Sequence, residues 1–331
     1  MKLTNYGIVC PACKHEITIK NDLIFCQFCQ MKFPVLHGII DLRFPQMEDG
    51  TAVNTMKTYY DQSSFDELLS IMLSDYHLSQ KMLNDTLAYY SNQVDRTEQM
   101  TDMFIKSIER AFGSPKPDRA LDLGCGSGAG ILALSQFFNQ VIGLDASMKQ
   151  LLLAKKNLEK FHIKDYILIC GFANCLPFKN QSFTYIQAMN VFEHVMVIAP
   201  VIQEISRTLT IGGEFSADSR NRFDIFFPEP HTGIRLLGFL PRKVTPKIVK
   251  WYNRSSYEQT RLLSFQELKK ALNYSFQGNF NIEFPNVLAY NQPHWINRII
   301  SVVEKIPLIS KIAIQVFPTH IVIGKKLEGN L

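Results

Sequence analysis

The chain has 331 residues, of which 46% are hydrophobic and 20% are charged, and its formal net charge is +5. This composition is typical of a folded protein with one large or two smaller domains, and it excludes a collagen-like or intrinsically disordered chain. The N-terminus lacks the apolar run of a signal peptide, and no stretch approaches the ~18 apolar residues of a membrane span. A cytoplasmic protein is therefore predicted.

The first motif along the chain is a set of four cysteines with the spacing C-x2-C-x12-C-x2-C, formed by Cys10, Cys13, Cys26 and Cys29. Two such turns present four thiolates, which complete a tetrahedral Zn²⁺ site with no open position. We therefore predict a zinc ribbon with a structural ion in residues 1–44. Two disulfides are the alternative, which a reducing compartment disfavours.

Residues 51–112 show a helical pattern of apolar side chains. Met56, Tyr60 and Leu69 belong to a series that recurs near the 3.6-residue period of one helix face. We predict a helical N-terminal cap here. Its tyrosines are candidate substrate contacts, and core packing is the favoured alternative.

A glycine loop follows, in the sequence LDLGCGSGAG at residues 121–130. Its neighbours predict a strand before the loop and a helix after it. Gly124, Gly126 and Gly128 let the backbone approach a ligand where a Cβ atom would collide. The pattern indicates a nucleotide-cofactor site.

Two acids accompany the loop and distinguish between cofactors. Asp145 ends the next predicted strand, where a carboxylate can bind ribose hydroxyls, and Ala146 and Ser147 follow it at the same edge of the sheet. Asp122 precedes the loop, where it would repel a pyrophosphate but attract the cationic amino-acid part of S-adenosylmethionine. We therefore predict S-adenosylmethionine as the cofactor.

The remaining pattern alternates strands with helices. Strands are predicted at residues 120–123, 140–144, 166–170, 184–189 and 213–218, with helices at 148–160 and 199–209. A helix is also predicted to begin at Ser264, because Glu267 three residues later completes a capping box. This order indicates an α/β fold with a parallel sheet and helices on both faces, which binds ligands beyond the carboxyl ends of the strands.

Five segments together resemble a known family. They are LDLGCGSG, LDAS, LPFKNQSF (176–183), NVFEHV (190–195) and RTLTIGGEF (207–215). In this order they resemble class I S-adenosylmethionine-dependent methyltransferases of the type 11-like group, over roughly residues 93–218. The resemblance implies a Rossmann-like methyltransferase domain at 113–331, with insertions at 221–263 and 291–318. It also implies a terminal antiparallel hairpin of strands at 280–284 and 319–325.

The ribbon has a resemblance of its own. The segment KFPVLHGIIDLR at 32–43 is similar to the small zinc-ribbon subunits that activate some methyltransferases. In this chain the ribbon is fused to the catalytic domain.

The resemblance also implies further site residues. Phe172 stands where the family usually has an aspartate that binds the adenine amino group, so stacking by Phe172 and backbone contacts at Ala173 are predicted instead. Asn190 is expected beside the cofactor and His194 as the candidate general base. Since Asn190 replaces an acid that binds metal in some quinone O-methyltransferases, no Mg²⁺ site is predicted.

The insertion between residues 220 and 261 is strongly basic. It contains nine lysines and arginines and three acids, a surplus of +6 that exceeds the charge of the whole chain. Basic and aromatic residues over an active site favour an anionic acceptor such as a glycan, a lipid-linked molecule or, less favoured, RNA. A solvated cationic face is the alternative. Residues 308–317 are apolar enough for peripheral membrane contact, although core burial explains them equally well.

Three functions remain open at this stage. O-methylation of a small-molecule, glycan or lipid-linked acceptor is favoured. An rRNA base methyltransferase with a zinc ribbon is the second hypothesis, and the low density of basic residues in residues 1–50 argues against it. A non-catalytic binding scaffold is the third, and it predicts no cofactor affinity.

Overall fold

A computed structural model describes residues 3–47, 49–74, 80–229, 231–253, 257, 260–285 and 294–328. Within these residues the strands are β1 (Ile17–Lys20), β2 (Leu23–Cys26), β3 (Lys32–Leu36), β4 (Ile39–Asp41), β5 (Arg119–Leu123), β6 (Gln140–Asp145), β7 (Tyr166–Cys170), β8 (Phe183–Ala188), β9 (Leu209–Arg220), β10 (Phe280–Glu283) and β11 (Thr319–Lys325).

The helices flank these strands in the chain. They are α1 (Thr51–Tyr59), α2 (Phe65–Ser74), α3 (Gln80–Ser91), α4 (Gln93–Phe112), α5 (Ala129–Leu134), α6 (Met148–Lys160), α7 (Ile198–Thr208), α8 (Thr245–Asn253), α9 (Phe265–Phe276), α10 (His294–Val303) and α11 (Pro307–Ala313). In the described part of the chain, no helix is both long and apolar enough to cross a bilayer.

The strands form one sheet in the order β1-β2-β3-β4-β7-β6-β5-β8-β9-β11-β10. From β4 to β9 neighbouring strands are parallel, and the strands at both ends are antiparallel. The chain winds outward from β5 in both directions, so a crevice opens beyond the carboxyl ends of β5 and β8.

Helices cover both faces of the sheet, as predicted. One apolar cluster packs the β-strands against α7 and α9 through residues such as Ile202 and Leu272, which are fully buried. A second cluster, on the opposite face, joins α1, α2 and α6 through residues such as Met56, Leu68 and Leu152. Nearly all residues of the central strands β5 to β8 are buried, as expected for parallel strands covered on both faces.

The N-terminal strands join the sheet directly. Ile40 pairs with Ile169 across the parallel contact of β4 with β7, and the N–H of Leu42 donates to Cys170 at 2.8 Å. Alternation along β4 places Ile39 in one core and Ile40 in the other. The cysteine-bearing segment is therefore packed into the same hydrophobic cores as the parallel sheet.

A buried ion-pair network anchors the chain where it leaves this edge. The guanidinium of Arg43, only 6% exposed, donates to Asp41 at 2.6 and 2.9 Å and to Asp49 at 2.9 Å. Lys57 in α1 also contacts Asp49, at 2.6 Å. The network therefore connects β4 with the first helix.

The local predictions agree closely with these elements. α6 spans the predicted residues, and Ser264 and Glu267 form both hydrogen bonds of the capping box at the start of α9. β10 and β11 form the antiparallel edge hairpin. β9 begins earlier than predicted, because Leu209 already pairs with Phe183 and a register shift takes up the extra residues.

The insertions fold as short helices beyond the sheet. The first contains α8 and a 3-10 helix at Leu237–Phe239, and the second contains α10 and α11. Within these insertions, Arg254, Glu258 and Asn291 lie outside the described residues.

Candidate functional site

The glycine loop lies between β5 and α5 at the crevice. Gly124 has φ +74°, and its N–H donates to the carbonyl of Leu144 at 2.7 Å. A Cβ atom at Gly124 would collide with Cγ2 of Val191. The position therefore requires glycine for its backbone conformation and for the close approach of the next segment.

Gly128 serves the loop in a different way. It has φ +86° at the N-terminus of α5, and a Cβ there would lie 3.1 Å from the Cβ of Ala154 in α6. It does not line the cavities described below, so it fixes the packing of the loop against a helix and does not itself contact them.

Asp145 organises the same loop through both oxygens. Its Oδ2 accepts from the N–H of Gly126 at 2.9 Å, and its Oδ1 accepts from the N–H of Ser147 at 2.8 Å. Burial raises the pKa of Asp145, and these hydrogen bonds oppose the rise. Ser147 in turn caps α6 by accepting from the N–H of Gln150. Ser147 thus stabilises the site indirectly, by capping the helix that follows Asp145.

Asp122 is the most desolvated acid of the crevice. It is 2% exposed, and its Oδ2 has no hydrogen-bond partner among the described residues. Burial, and then the charge of Asp145, raise the pKa of Asp122 to about 7. A buried carboxylate oxygen without a donor is a position where a ligand cation or N–H group would be stabilised.

Two adjoining cavities meet at this loop. The helix-side cavity, of about 320 Å³, is lined by Asp122, Gly124 and Gly126 and by residues of α3 and α4. The loop-side cavity, of about 510 Å³, is lined by Ala146, Phe172, Ala173 and neighbouring residues. Four residues line both cavities: Gly124, Asp145, Asn190 and His194.

Most of the predicted site residues therefore surround one region. The roof of the helix-side cavity was not predicted residue by residue; it includes Tyr89, Tyr90, Gln93 and Arg96. The Nε2 of Gln150 donates to the hydroxyl of Tyr90 at 2.8 Å, which ties this roof to α6. The sequence did not identify these roof residues, because most polar side chains in an amphipathic helix are solvated and nothing in the pattern marks one as lining a cavity.

Asn190 and His194 follow β8 at the rim. Asn190 has φ +54°, and its N–H donates to Oδ1 of Asp218 at 2.6 Å. The ring of His194 lies 5.4 Å from that of His231 at an angle of 72°. Burial and then His231 lower the pKa of His194, so its imidazole is neutral near pH 7 and can accept a proton.

The four cysteines of the N-terminal motif converge away from these cavities. The Sγ atoms of Cys10 and Cys29 are 3.5 Å apart, as are those of Cys13 and Cys26. All four are free cysteines, and their sulfurs lie within 4.8 Å of one another. Four thiolates at ~2.3 Å from one tetrahedral ion are about 3.8 Å apart, so this donor set fits Zn²⁺.

The basic insertion is less available to ligands than its charge suggests. Arg222 donates to the carbonyls of Gly238 and Leu240 at 2.7 and 3.1 Å, and Arg242 donates to Glu267 at 2.7 and 2.8 Å. These arginines stabilise the insertion itself. The exposed cations among the described residues of the segment are Arg235, Lys243, Lys247 and Lys250.

Comparison with known proteins shows which family the central part of the chain resembles. The family described as "Methyltransferase domain" matches residues 121–217. An uncharacterized methyltransferase of Bacillus subtilis, YcgJ, is 25% identical over 155 residues, which are 46% of this chain and 59% of that protein. A demethylmenaquinone methyltransferase of Bacillus cereus is 28% identical over 136 residues, 40% of this chain and 54% of that protein. The chain thus spans somewhat more than half the length of these relatives.

A solved structure of YcgJ aligns with 71% of this chain and 100% of its own length, at 18% identity and a TM-score of 0.45. The matched segment, residues 121–217, contains β5, the glycine loop, Asp145 and the rim after β8. Residues 121–217 therefore form a methyltransferase domain that is similar to those of class I S-adenosylmethionine-dependent methyltransferases.

Proposed function

We propose that the protein transfers a methyl group from S-adenosylmethionine to an oxygen of a small-molecule, glycan or lipid-linked acceptor. The observation that carries this proposal is the pair of adjoining cavities around the glycine loop, with Asp122 and Asp145 in their walls. A cofactor with a positive sulfur and an ammonium group complements this acidic, phosphate-repelling environment.

The cofactor would lie across both cavities. Its methionine part fits the helix-side cavity, where the unpartnered oxygen of Asp122 can accept from the ammonium group. Its ribose fits beside Asp145, since each oxygen there accepts one protein N–H and retains a second lone pair. Its adenine fits the loop-side cavity against Phe172 and the backbone of Ala173.

Methyl transfer requires mainly alignment. The acceptor oxygen, the methyl carbon and the sulfur must lie in line, and the carbon is already activated by the positive sulfur. His194 lines both cavities, so it is placed to receive the proton of an acceptor hydroxyl.

Zn²⁺ bound by Cys10, Cys13, Cys26 and Cys29 has a structural role in this proposal. The four thiolates leave no open coordination position. The ion would hold the segment that adds β4 to the catalytic sheet.

An extract-labelling experiment tests the proposal. Purified protein and labelled S-adenosylmethionine are added to fractionated cell extract, with an Asp145→Asn variant as the inactive control. We expect label in a low-molecular-mass, glycan or lipid fraction, independent of ribonuclease. Label that disappears on ribonuclease treatment would instead indicate an RNA base methyltransferase.

A binding measurement distinguishes the proposed enzyme from a non-catalytic binding scaffold. Calorimetric titration with S-adenosylmethionine should show saturable binding by the unaltered protein and none by Gly126→Arg. Gly126 lines the helix-side cavity and an added Cβ meets only Gln150, at 4.0 Å, so the arginine side chain has room to occupy the cofactor position. An absence of heat with the unaltered protein would favour a binding scaffold.

A further inference from the structure

A second group of potential metal ligands lies at the rim of the cofactor cavities. Glu193 and His194 follow β8, and His231 comes from the first insertion. One ligand atom from each of the three residues lies within 4.8 Å of the others. The edge-to-face arrangement of the two imidazoles, with centroids 5.4 Å apart, is compatible with two rings bound to one ion.

The carboxylate of this group is buried and incompletely satisfied. Glu193 is 5% exposed, and its Oε2 has no hydrogen-bond partner among the described residues. A cation bound at Glu193 would satisfy this buried, unpartnered oxygen.

We propose that Glu193, His194 and His231 bind a divalent first-row transition-metal ion at the acceptor end of the cofactor cavities. Two imidazoles and one carboxylate suit Zn²⁺, Mn²⁺, Fe²⁺ or Co²⁺, whereas Mg²⁺ and Ca²⁺ prefer ligand sets made of oxygen alone. Asn190, which stands in the position of a family metal ligand, is not needed, because His231 supplies the third donor from a different part of the chain.

The three side chains must move closer together to bind one ion. Ligand atoms ~2.1 Å from one tetrahedral ion are about 3.4 Å apart, so atoms that lie within 4.8 Å of one another would approach by up to about 1.4 Å. His194 and His231 are both exposed, so their rings can rotate toward Glu193. The exposed side of such a site would keep coordination positions open for an acceptor.

The role of the ion rests on the proposed function. An ion held by Glu193, His194 and His231 would lower the pKa of an acceptor hydroxyl bound through its oxygen, and the proton would leave to solvent. The oxygen then attacks the methyl carbon, the carbon–sulfur bond breaks, and its electron pair remains on sulfur as a neutral thioether. The ion is not oxidised or reduced. With the ion bound, His194 would be a ligand and solvent would take the proton, whereas without the ion His194 itself would accept it.

Metal binding is measured without cofactor or acceptor. Elemental analysis of the purified protein is combined with titration of Mn²⁺, followed by the paramagnetic resonance signal of the free ion. Mn²⁺ is chosen because thiolates bind it poorly, which separates this site from the cysteine cluster. The variants are His194→Asn and His231→Asn, with the exposed His162→Asn as a matched control.

We expect one ion per chain beyond that of the cysteines, either resident or added as Mn²⁺. Each rim variant should weaken Mn²⁺ binding by at least about tenfold, and the control should not. Equal binding by all four proteins, or no ion beyond that of the cysteines, would overturn the proposal.

Calorimetry with S-adenosylmethionine on the same proteins shows whether the cofactor cavities remain intact. His231 does not line either cavity, so His231→Asn should bind the cofactor normally. Loss of the ion with retained cofactor affinity would support the metal site. Absence of cofactor binding in the unaltered protein would refute the proposed function without affecting the metal measurement.

Discussion

Substitution of Gly124 by alanine separates backbone strain from steric fit at the cofactor loop. Gly124 has φ +74°, a conformation that costs an L-residue about 1–2 kcal/mol. The new Cβ would also collide with Val191, a nearly buried residue whose β-branched side chain has few alternative rotamers. Overpacking of this kind costs about 1–3 kcal/mol, so Gly124→Ala should lose about 2–5 kcal/mol of unfolding free energy.

Gly212 provides the matched control. Its φ is +77°, and a Cβ added there would meet no atom within 4 Å. Gly212→Ala should therefore lose only the conformational part, about 1–2 kcal/mol. Urea denaturation of both variants measures the difference, which we expect to be about 1–3 kcal/mol.

The same variants test the cofactor site. Gly124 lines both cavities and Val191 lines the loop-side cavity, so relief of the collision must alter these walls. We expect S-adenosylmethionine to bind Gly124→Ala at least tenfold more weakly, a loss of about 1.4 kcal/mol, and Gly212→Ala normally. Equal destabilisation of the two variants together with unchanged cofactor affinity would refute the reasoning.

Three further predictions concern charge and metal. Burial raises the pKa of Asp122 to about 7, so the contribution of Asp122 to the stability of the cofactor-free protein declines as pH rises from about 4 to 7. Cofactor binding near pH 6.5 should for the same reason release a proton from Asp122. Calorimetry in buffers of different ionisation enthalpy detects this proton release, and a binding heat that does not depend on the buffer would contradict it. Arg43→Met should cost about 3–5 kcal/mol in urea denaturation because Asp41 loses its ion-pair partner and Asp49 keeps only Lys57, whereas loss of the exposed pair of Lys106 should change stability by less than about 1 kcal/mol. Cys26→Ser should abolish binding of about one zinc per chain and accelerate amide exchange at residues 166–170, since β4 pairs with β7; unchanged exchange there would show that the two segments are stable independently.

The local structure around the cofactor loop follows closely from the sequence. The predicted strands and helices near residues 121–170 agree with β5 to β7 within a residue or two at each end. Hydrophobic runs bounded by glycines and acids specify this unit, because each requirement is met by residues close together in the chain. The capping box at Ser264 was predictable for the same reason.

The site was less predictable where the chain folds back on itself. Charge alone suggested that the first insertion offers many cations to an acceptor. The structure shows Arg222 and Arg242 bonded to carbonyls and to Glu267 within the fold. Whether an arginine is free depends on which carbonyl groups the chain leaves unpaired nearby, and no local pattern reports this.

By itself, the sequence determined the class of domain, the glycine loop with its two acids and the four converging thiolates, since short-range spacing fixes each of them. Only the tertiary structure decided that β4 extends the catalytic sheet, that Tyr90 and Gln93 roof a cavity, and that His231 meets Glu193 and His194. These contacts join segments distant in the chain. Their formation depends on packing of the whole core and on the paths of the insertions, which are properties that no single stretch of residues encodes.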